Sequence, residues 1–342
     1  MRIKAIMDFA LKQCQKNGSS TGKKIAIVGA GPAGLIASNE LVCLGHEIHV
    51  FDQMPEPGGL LLFGISDKRM NKENVRKSVK QLEDLGVIFH IGVNVGVQLQ
   101  LMDIVKAHDA VLISTGTWMN KKLGLNGEQL KGVDYAFDYI IRYNMEKLGY
   151  KNGKSLPEFK GQVAVIGGGL TAIDACEIAL EKGARKVMLI YRKNGDQAPA
   201  GHYLISKLRS NGVDYRELTQ PIEFVSNNGN RLKAIKAIKT HMPDGCLDKK
   251  PQPIPIEGSE HLISVDQVLV ATGLCPTLPK GSESLGVTCD RAYFSKTEGG
   301  HETKIGKVFV AGDVRHGPSY VSLAIKSGIE AAKEIHQYLM HS

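Results

Sequence analysis

The sequence predicts an α/β protein with two Rossmann-like domains, the second of them inserted into the first. Two strand–glycine turn–helix units begin at Gly29 and Gly167, and two further strands end in similar Thr-Gly turns. The predicted organisation is an N-terminal helical arm at 1–22, a discontinuous first domain at 23–117 and 270–342, and an inserted second domain at 118–269.

The composition argues against a nucleic-acid-binding, membrane-spanning or secreted protein. The chain has 342 residues, 42% of them hydrophobic, and a net charge of +8, which is enough apolar material for a core in each domain. Its basic residues are dispersed and it has one tryptophan, so nucleic-acid binding is not indicated. No apolar run approaches the roughly 18 residues of a membrane span, and Asp8 interrupts the first apolar stretch, unlike a secretory signal. We therefore expect a soluble, cytoplasmic protein.

The first unit opens with residues 23–28, an apolar and β-branched run that leads into a GxGxxG turn. Gly29 permits the tight turn, Gly31 lets the backbone approach a pyrophosphate, and Gly34 lets helix and strand pack closely. The helix predicted at 35–44 offers unpaired amides and a positive dipole to the phosphates.

The second unit repeats this design. An apolar run at 162–166 leads into a glycine triplet at 167–169, a helix follows to Leu180, and a strand is predicted at 186–191. The order of strand, glycine turn, helix and strand is more specific than a glycine motif alone. Two dinucleotide-binding units are therefore predicted.

The two units differ at the end of their second strand. Strand 47–51 ends at Asp52, whereas strand 186–191 ends in Arg192 and Lys193. A carboxylate favours a free ribose 2′-hydroxyl, and a basic pair favours a 2′-phosphate. The first site is thus predicted to hold FAD and the second NADP(H). NAD(H) remains the alternative if the basic pair is an ordinary charged strand end.

Three more strand ends complete the pattern. The strand at 307–310 runs into Gly312 and Asp313 and is followed by an amphipathic helix at about 320–339. In flavoproteins with two dinucleotides, such a Gly-Asp lies against the ribityl chain and the helix start faces the flavin. The two Thr-Gly turns, where the chain is predicted to cross between domains, are Thr115-Gly116 and Thr272-Gly273.

These motifs resemble the small (beta) subunit of glutamate synthase and its wider family, over residues 23 to 338. The most distinctive matching segment is the Pro-Gly-Gly-Leu-Leu-Leu-Phe-Gly-Ile run at 57–65. The other matching segments are 29–35, 163–169, 171–174, 191–193, 308–313 and 317–319.

The motifs and the resemblance together assign the cofactor residues. FAD is assigned to Gly29, Gly31, Pro32, Ala33, Gly34, Asp52, Gln53, Gly59, Leu60, Arg69, Val95, Thr115, Gly116, Gly312, Asp313, Ser319, Tyr320 and Val321. NADP(H) is assigned to Gly167, Gly169, Leu170, Thr171, Ala172, Arg192, Lys193, Thr272 and Gly273. No side chain is assigned a catalytic role, because hydride passes directly from nicotinamide to flavin N5. His316, near the predicted flavin, is the histidine of interest, although an ordinary solvated loop residue is the simpler interpretation.

The cysteines argue against other chemistry. Cys14, Cys43, Cys176, Cys246, Cys275 and Cys289 form no CxxC or Cys/His cluster, which disfavours a metal, an iron–sulfur cluster and a thioredoxin-type redox pair. Each is predicted to be an isolated thiol. Full-length members of the resembled family carry an N-terminal iron–sulfur domain, whereas about 22 residues precede the fold here. Further departures from the family pattern are Leu170, Ser66 and Ala198.

The leading hypothesis is an FAD-dependent NAD(P)H oxidoreductase that exchanges electrons with a separate iron–sulfur protein such as ferredoxin, whose acidic surface would be attracted by the charge of +8. The alternative is a flavoprotein subunit without independent turnover, docked in a glutamate-synthase-like or electron-bifurcating complex. Residues 3–14 are then either a docking helix or a helix packed on its own domain. A disulfide reductase and a monooxygenase share the fold, and homo-oligomerisation stays open. Glutamate synthesis by this chain alone is not expected.

Overall fold

The computed structural model places most of the chain in two units, each described by itself. Unit 1 is Met1–Met119 with Leu274–Ser342, and unit 2 is Asn120–Gly273. The described residues are 9–11, 13–14, 20–150, 156, 158–227, 229–243, 251–285 and 300–341. Within these ranges no helix is long and apolar enough to cross a membrane.

Unit 1 is built on a parallel sheet with the strand order β16-β4-β1-β2-β3. Its elements are β1 Lys24–Val28, α1 Pro32–Cys43, β2 Glu47–Asp52, α2 Leu60–Phe63, α3 Lys72–Asp84, β3 Ile88–Ile91, α4 Leu101–Ala107, β4 Ala110–Ile113 and β5 Thr117–Asn120. After unit 2, whose elements come below, the chain returns with β15 Leu274–Pro276, β16 Val308–Val310, α8 Asp313–His316 and α9 Val321–His341. The strands β5 and β15 pair with each other in a separate two-stranded sheet.

The central strands of unit 1 are apolar because both faces of the sheet are covered. All four residues of β4 are buried, and only the first residue of β1 is exposed, as expected for parallel strands between helices. The helix α9 packs on α1, and Gly328 permits the close approach, since a Cβ there would lie 2.5 Å from Cγ2 of Ile36. The C-terminal helix therefore supports the helix that follows the first glycine turn.

The N-terminal segment differs from the predicted helical arm in its described part. Phe9 and Leu11 are buried and lie outside any helix. The hydroxyl of Ser78 on α3 donates to the carbonyl of Phe9 at 3.3 Å. These described residues therefore pack on their own unit; residues 1–8, 12 and 15–19, including most of the proposed docking helix, lie outside the described residues.

The prediction that every cysteine is an isolated thiol is wrong for Cys14 and Cys43, which form a disulfide with their Cα atoms 6.0 Å apart. The backbone N–H of Thr21 donates to the carbonyl of Gly45 at 3.0 Å, so the chain returns beside the end of α1, where Cys43 lies. A sequence separation of 29 gives no signal of this pairing. Cys176 and Cys275 are free thiols, and burial raises the pKa of Cys176. Cys246 and Cys289 lie outside the described residues.

We expect Cys43→Ser to lower the free energy of unfolding by about 3–4 kcal/mol in oxidising buffer, because the disulfide closes a loop between residues separated by 29 positions. Urea unfolding with and without reductant measures the effect, and reduced wild type should match the variant. Cys275→Ser, which removes a free thiol, is the control and should change stability little. Equal stability of oxidised wild type and Cys43→Ser would contradict the prediction.

Unit 2 repeats the parallel arrangement with the strand order β6-β14-β7-β8-β9. Its elements are β6 Val133–Tyr135, α5 Ala136–Lys147, β7 Gln162–Ile166, α6 Leu170–Glu181, β8 Lys186–Ile190, α7 His202–Ser210, β9 Asp214–Arg216, β10 Thr219–Ser226, β11 Leu232–His241, β12 Ile254–Pro255, β13 His261–Ser264 and β14 Gln267–Val270. The antiparallel strands β10, β11, β12 and β13 form a second sheet. Its buried residues Phe224 and Ile235 pack in one hydrophobic cluster with residues of the parallel strands.

The predicted fold class is confirmed. Both glycine turns join a buried parallel strand to a helix, and the strand after that helix pairs with the strand before the turn: β2 with β1, and β8 with β7. The C-terminal helix predicted at about 320–339 is observed as α9, Val321–His341.

Candidate functional site

Two glycines in the glycine turn of unit 1 are required by the packing of the protein. Gly29 has φ +110, and a Cβ there would lie 2.5 Å from the carbonyl oxygen of Ser114, the residue that follows the neighbouring strand β4. A Cβ at Gly34 would collide with the carbonyl oxygen of Gly29. Both positions therefore exclude a side chain through packing within the unit.

Gly31 is different, because nothing in the described structure requires a glycine there. It is the N-cap of α1 with φ −79 and ψ −173, a conformation open to any residue. No atom outside its chain neighbours lies within 4 Å of the Cβ position. The free space lies at a helix N-terminus, where backbone amides and the helix dipole favour a phosphate.

A second turn lies over Gly31. The N–H of Gly58 donates to the carbonyl of Ala30 at 2.9 Å, and a Cβ at Gly59 would lie 2.8 Å from the Cα of Gly31. The ammonium group of Lys72 donates to the carbonyls of Leu61 and Ile65, at 2.6 and 2.5 Å. The distinctive 57–65 segment is thereby fixed against the glycine turn.

Two residues assigned to FAD border that segment. Leu60 is the first residue of α2. Arg69 lies in the turn beyond α2, where its N–H donates to the carbonyl of Ser66 at 2.9 Å. Both therefore lie close in sequence to the turn over Gly31.

Asp52 ends β2 and anchors the glycine turn. Its carboxylate accepts the N–H of Ala30 at 2.6 Å and the N–H of Met54 at 2.8 Å. Burial raises the pKa of Asp52, and these two hydrogen bonds act in the opposite direction. A carboxylate has about four acceptor positions, so Asp52 can hold the turn and still accept a ribose hydroxyl.

A cleft runs from the glycine turn past the end of β2. It brings together five residues that the sequence assigned to FAD, and it adds a wall that the sequence did not identify. The assigned residues are Gly29, Asp52, Gln53, Val95 and Thr115, and the additional lining residues are Val28, Phe51, Val93, Asn94, Trp118, Thr277, Leu278 and Pro279.

The added wall is fixed by hydrogen bonds between the two chain segments that contain the paired strands β5 and β15. The N–H of Thr277 donates to the carbonyl of Gly116 at 3.0 Å, and the hydroxyl of Thr115 donates to the carbonyl of Thr277 at 2.5 Å. The indole N–H of Trp118 donates to the carbonyl of Thr115 at 2.8 Å. On the other side, Asn94 donates to Gln53 at 3.1 Å. The Thr115-Gly116 turn marks in the sequence where β5 begins, but it does not indicate which side chains form this wall.

The C-terminal Gly-Asp lies beside the first turn of α1. A Cβ at Gly312, which has φ +73, would lie 2.9 Å from the Cβ of Ala33. The carboxylate of Asp313 accepts the hydroxyl of Ser319 at 2.6 Å and its N–H at 3.2 Å. Burial raises the pKa of Asp313, while the bonds from Ser319 lower it. The Gly312–Asp313 turn and the glycine turn at 29–34 are thus close together in unit 1.

Two other assigned or noted residues lie in the same region. The side chain of Tyr320 is exposed and immediately precedes α9, which begins at Val321. His316 ends α8, and its pKa is lowered by partial burial and then by the charge of Arg315.

Unit 2 repeats the pattern of required and unrequired glycines. Gly167 has φ +152, and a Cβ there would collide with the carbonyl oxygen of Ala271. A Cβ at Gly168 would lie 2.5 Å from the ring of Tyr191, whereas Gly169, the N-cap of α6, meets nothing within 4 Å. Gly169 is therefore the counterpart of Gly31.

One further contact of unit 2 has a counterpart in unit 1. The N–H of Ala200 donates to the carbonyl of Gly168 at 3.0 Å, as Gly58 does to Ala30. Leu170, Thr171 and Ala172 form the first turn of α6. Thr272 and Gly273 follow β14, and the hydroxyl of Thr272 donates to the carbonyl of Lys121 at 3.1 Å.

The strand ends can be aligned through one hydrogen bond in each unit. Gly29 N–H donates to Phe51 at 2.8 Å, and Gly167 N–H donates to Ile190 at 3.0 Å. The residue after each acceptor is Asp52 in unit 1 and Tyr191 in unit 2. Unit 2 therefore has an aromatic ring over its glycine turn where unit 1 has the carboxylate.

The basic pair follows this tyrosine. The guanidinium group of Arg192 is exposed and donates to the side-chain oxygen of Gln252 at 2.9 Å, while its carbonyl accepts the hydroxyl of Thr240 at 2.7 Å. The carbonyl of Lys193 accepts the N–H of Leu218 at 3.1 Å. The backbone of both residues is thus fixed just beyond the end of β8 at Ile190.

Metal binding has no support in the part of the chain that the structure describes. No group of three His, Cys, Asp or Glu side chains there could hold a metal ion.

The fold and the two glycine turns define a protein with paired dinucleotide-binding domains, and comparison with known proteins gives the family. The family model described as pyridine nucleotide-disulphide oxidoreductase matches residues 23–328. The glutamate synthase [NADPH] small chain of Halomonas elongata is 33% identical over 325 residues, covering 93% of this chain and 68% of that protein. The NADP(+)-dependent formate dehydrogenase subunit beta of Moorella thermoacetica is 31% identical over 328 residues, or 94% of this chain and 44% of that protein.

A solved structure shares the fold. Mycobacterium tuberculosis FprA in complex with NADPH matches with a TM-score of 0.73 at 18% identity, covering 93% of this chain and 85% of that one. The chain belongs to the pyridine nucleotide-disulphide oxidoreductase family, and its resemblance to the glutamate synthase small subunit is confirmed. The predicted class, a flavin-dependent NAD(P)H oxidoreductase with FAD and NADP(H) as cofactors, is confirmed with it.

Proposed function

We propose that this chain binds FAD in unit 1 and NADPH in unit 2, and passes electrons between NADPH and a separate iron–sulfur protein or partner subunit. The observation that carries the proposal is the pair Gly31 and Gly169. Each glycine sits at a helix N-terminus with free space where a side chain would be. A pyrophosphate on each helix accounts for both glycines.

In unit 1, the proposal gives each polar group a binding role. Asp52 accepts a ribose hydroxyl while it holds the turn through Ala30. The cleft beside Val95 and Trp118 takes the adenine end. Asp313, held by Ser319, accepts a hydroxyl of the ribityl chain, and the start of α9 at Val321 favours negative charge on the bound ring.

In unit 2, Gly169 and the first turn of α6 hold the nicotinamide dinucleotide by its phosphates, and Arg192 and Lys193 bind the 2′-phosphate. The two cofactors supply the hydride-transfer chemistry when bound, and the chain supplies binding, orientation and electrostatics. No acid, base or nucleophile of the chain is needed for that step.

The names of the relatives and the net charge of the chain both support a protein as the second redox partner. Relatives named as a glutamate synthase small chain and a formate dehydrogenase subunit beta are components of larger enzymes, which supports a partner protein for this chain too. The net charge of +8 favours an acidic partner. The second candidate is accordingly a subunit that turns over only within its complex. We also propose that the protein is cytoplasmic.

An anaerobic titration tests the proposal. The purified holoprotein is titrated with NADPH and separately with NADH, and the flavin absorption band is followed. Rapid bleaching by NADPH, and slower bleaching by NADH, is the expected result. Bleaching by NADH alone would contradict the 2′-phosphate assignment. If FAD is bound and neither nucleotide reduces it, the partner-dependent subunit becomes the better account.

A further inference from the structure

A chain of hydrogen bonds within unit 1 connects α9 to the Gly312–Asp313 turn. The carboxylate of Glu334 accepts both the backbone N–H and the ring Nδ1 of His301, each at 2.8 Å. The other ring nitrogen, Nε2, lies 3.2 Å from the hydroxyl oxygen of Ser327. That oxygen accepts the N–H of Gly312 at 2.9 Å. His301 is 1% exposed and Ser327 is 3% exposed.

With a single ring proton on His301, one arrangement of protons satisfies every member of this chain. The N–H of Gly312 can only donate to Ser327, so the serine hydroxyl proton is free to point at Nε2 of His301. The proton on Nδ1 then points at Glu334. The hydrogen bonds all run in one direction, from the Gly312 peptide to the carboxylate, and such bonds polarise one another.

The same three residue types act as a nucleophilic triad in hydrolases, but burial excludes that role here. A nucleophile must meet its substrate, whereas Ser327 is almost completely buried and its oxygen already accepts the N–H of Gly312. What this chain of bonds can do is fix the orientation of one peptide group. That peptide joins Ala311 to Gly312, and the next residue is Asp313, whose carboxylate is the proposed ligand of the ribityl chain.

We propose that His301 and Ser327 are positioning residues for the bound flavin, acting through the Gly312 peptide on the Gly312–Asp313 turn. The inference rests on the proposed function, because it requires FAD in unit 1. Without the serine oxygen, the Gly312 N–H is left unpaired in the interior, and buried donors of this kind are strongly disfavoured. The turn is then expected to rotate and to move Asp313 from its place.

The test compares the FAD affinity of the apoprotein and the midpoint potential of the bound flavin in four variants. Ser327→Ala and His301→Leu are expected to weaken FAD binding by about 10-fold or more and to shift the midpoint potential. His301→Gln, which restores a hydrogen-bonding side chain, is expected to recover part of both. Ser78→Ala is the matched control: Ser78 is also buried, at 4% exposure, but bonds carbonyls of Asn74 and Phe9.

The results separate the inference from the proposed function. Ser78→Ala is expected to lose thermal stability without a change in FAD affinity or midpoint potential. If Ser327→Ala and His301→Leu both behave in that way, the inference is overturned. A wild-type chain that takes up no FAD would overturn the proposed function and the inference together. If Ser327→Ala does not fold, the two His301 variants decide the matter through the recovery by glutamine.

Discussion

Gly31→Ala is expected to leave unit 1 folded and to remove most of its affinity for FAD. The backbone of Gly31 has φ −79 and ψ −173, which alanine adopts without strain, and no neighbouring atom lies within 4 Å of the new methyl group. In the proposed complex that space belongs to the pyrophosphate. The methyl group would push the ligand away from the helix amides, and overpacking of this size costs about 1–3 kcal/mol, or roughly 5- to 150-fold in affinity.

Gly34→Ala provides the contrast that makes this prediction specific. Its methyl group would collide with the carbonyl oxygen of Gly29 and lie 2.9 Å from the hydroxyl of Ser114, so the helix could not keep its distance from the strand. We therefore expect Gly34→Ala to lower the stability of the apoprotein, and Gly31→Ala to leave it unchanged. Two glycines of one motif are thus separated into a folding position and a ligand position.

Trp118 offers a direct measurement of FAD binding. It is the one tryptophan of the sequence and it lines the cleft, so FAD added to the apoprotein should quench its emission. Thermal unfolding of each apoprotein gives the stability. Gly306→Ala is the control, since a Cβ at Gly306 would make only an ordinary contact, 3.9 Å from the hydroxyl of Tyr338. If Gly31→Ala binds FAD within about twofold of wild type, the pyrophosphate does not lie at this glycine.

The local part of the site could be predicted from the sequence because its signals lie within short segments. Strand, glycine turn and helix follow one another directly, and the chemistry of Asp52 follows from its place at the end of a strand. Hydrophobic runs such as that of β4, buried throughout, indicate a covered parallel strand without further context. These features need no knowledge of contacts between distant residues.

The wall of the cleft could not be predicted in the same way. Trp118 and Thr277 are brought together by the pairing of β5 with β15, across the whole of unit 2 in sequence. The Thr115-Gly116 turn predicted that the chain crosses there, but not which side chains would then face the ligand. The wall therefore depends on a register between distant strands, and no local pattern encodes it.

The disulfide and the Tyr191 contact were missed for the same physical reason. Cys14 forms a disulfide with Cys43 close to the hydrogen bond between Thr21 and Gly45, and neither contact leaves a spacing motif. In unit 2 the sequence indicated a basic strand end, but the alignment through Ile190 shows that Tyr191, not Arg192, stands at the position of Asp52. Its ring fills the space beside Gly168. Within the glycine triplet, Gly168 is thus required by packing on this ring, whereas the space at Gly169 is free and is proposed to hold the ligand.

Arg192→Ala is expected to reduce kcat/KM for NADPH roughly 10- to 100-fold, the effect of losing a charge-assisted hydrogen bond to phosphate, and to leave kcat/KM for NADH nearly unchanged. The guanidinium group is exposed and is held near the end of β8 by Gln252 at 2.9 Å. NADPH and NADH differ only in the 2′-phosphate, so the ratio of their kcat/KM values isolates this contact. The double variant with Lys193→Ala should shift the ratio further.

Arg185→Ala is the matched control for this prediction. Arg185 is an exposed arginine of the same unit and lies just before β8, at the opposite end of the strand from Arg192. Both substitutions remove one positive charge, so a general electrostatic attraction of the anionic nucleotide would be weakened by either of them. Only a direct contact with the 2′-phosphate makes the Arg192 variant selective between the two nucleotides. Equal losses for NADPH and NADH in Arg192→Ala would mean that the basic pair attracts the nucleotide without recognising its phosphate, and the assignment of NADP(H) would then need another contact in unit 2.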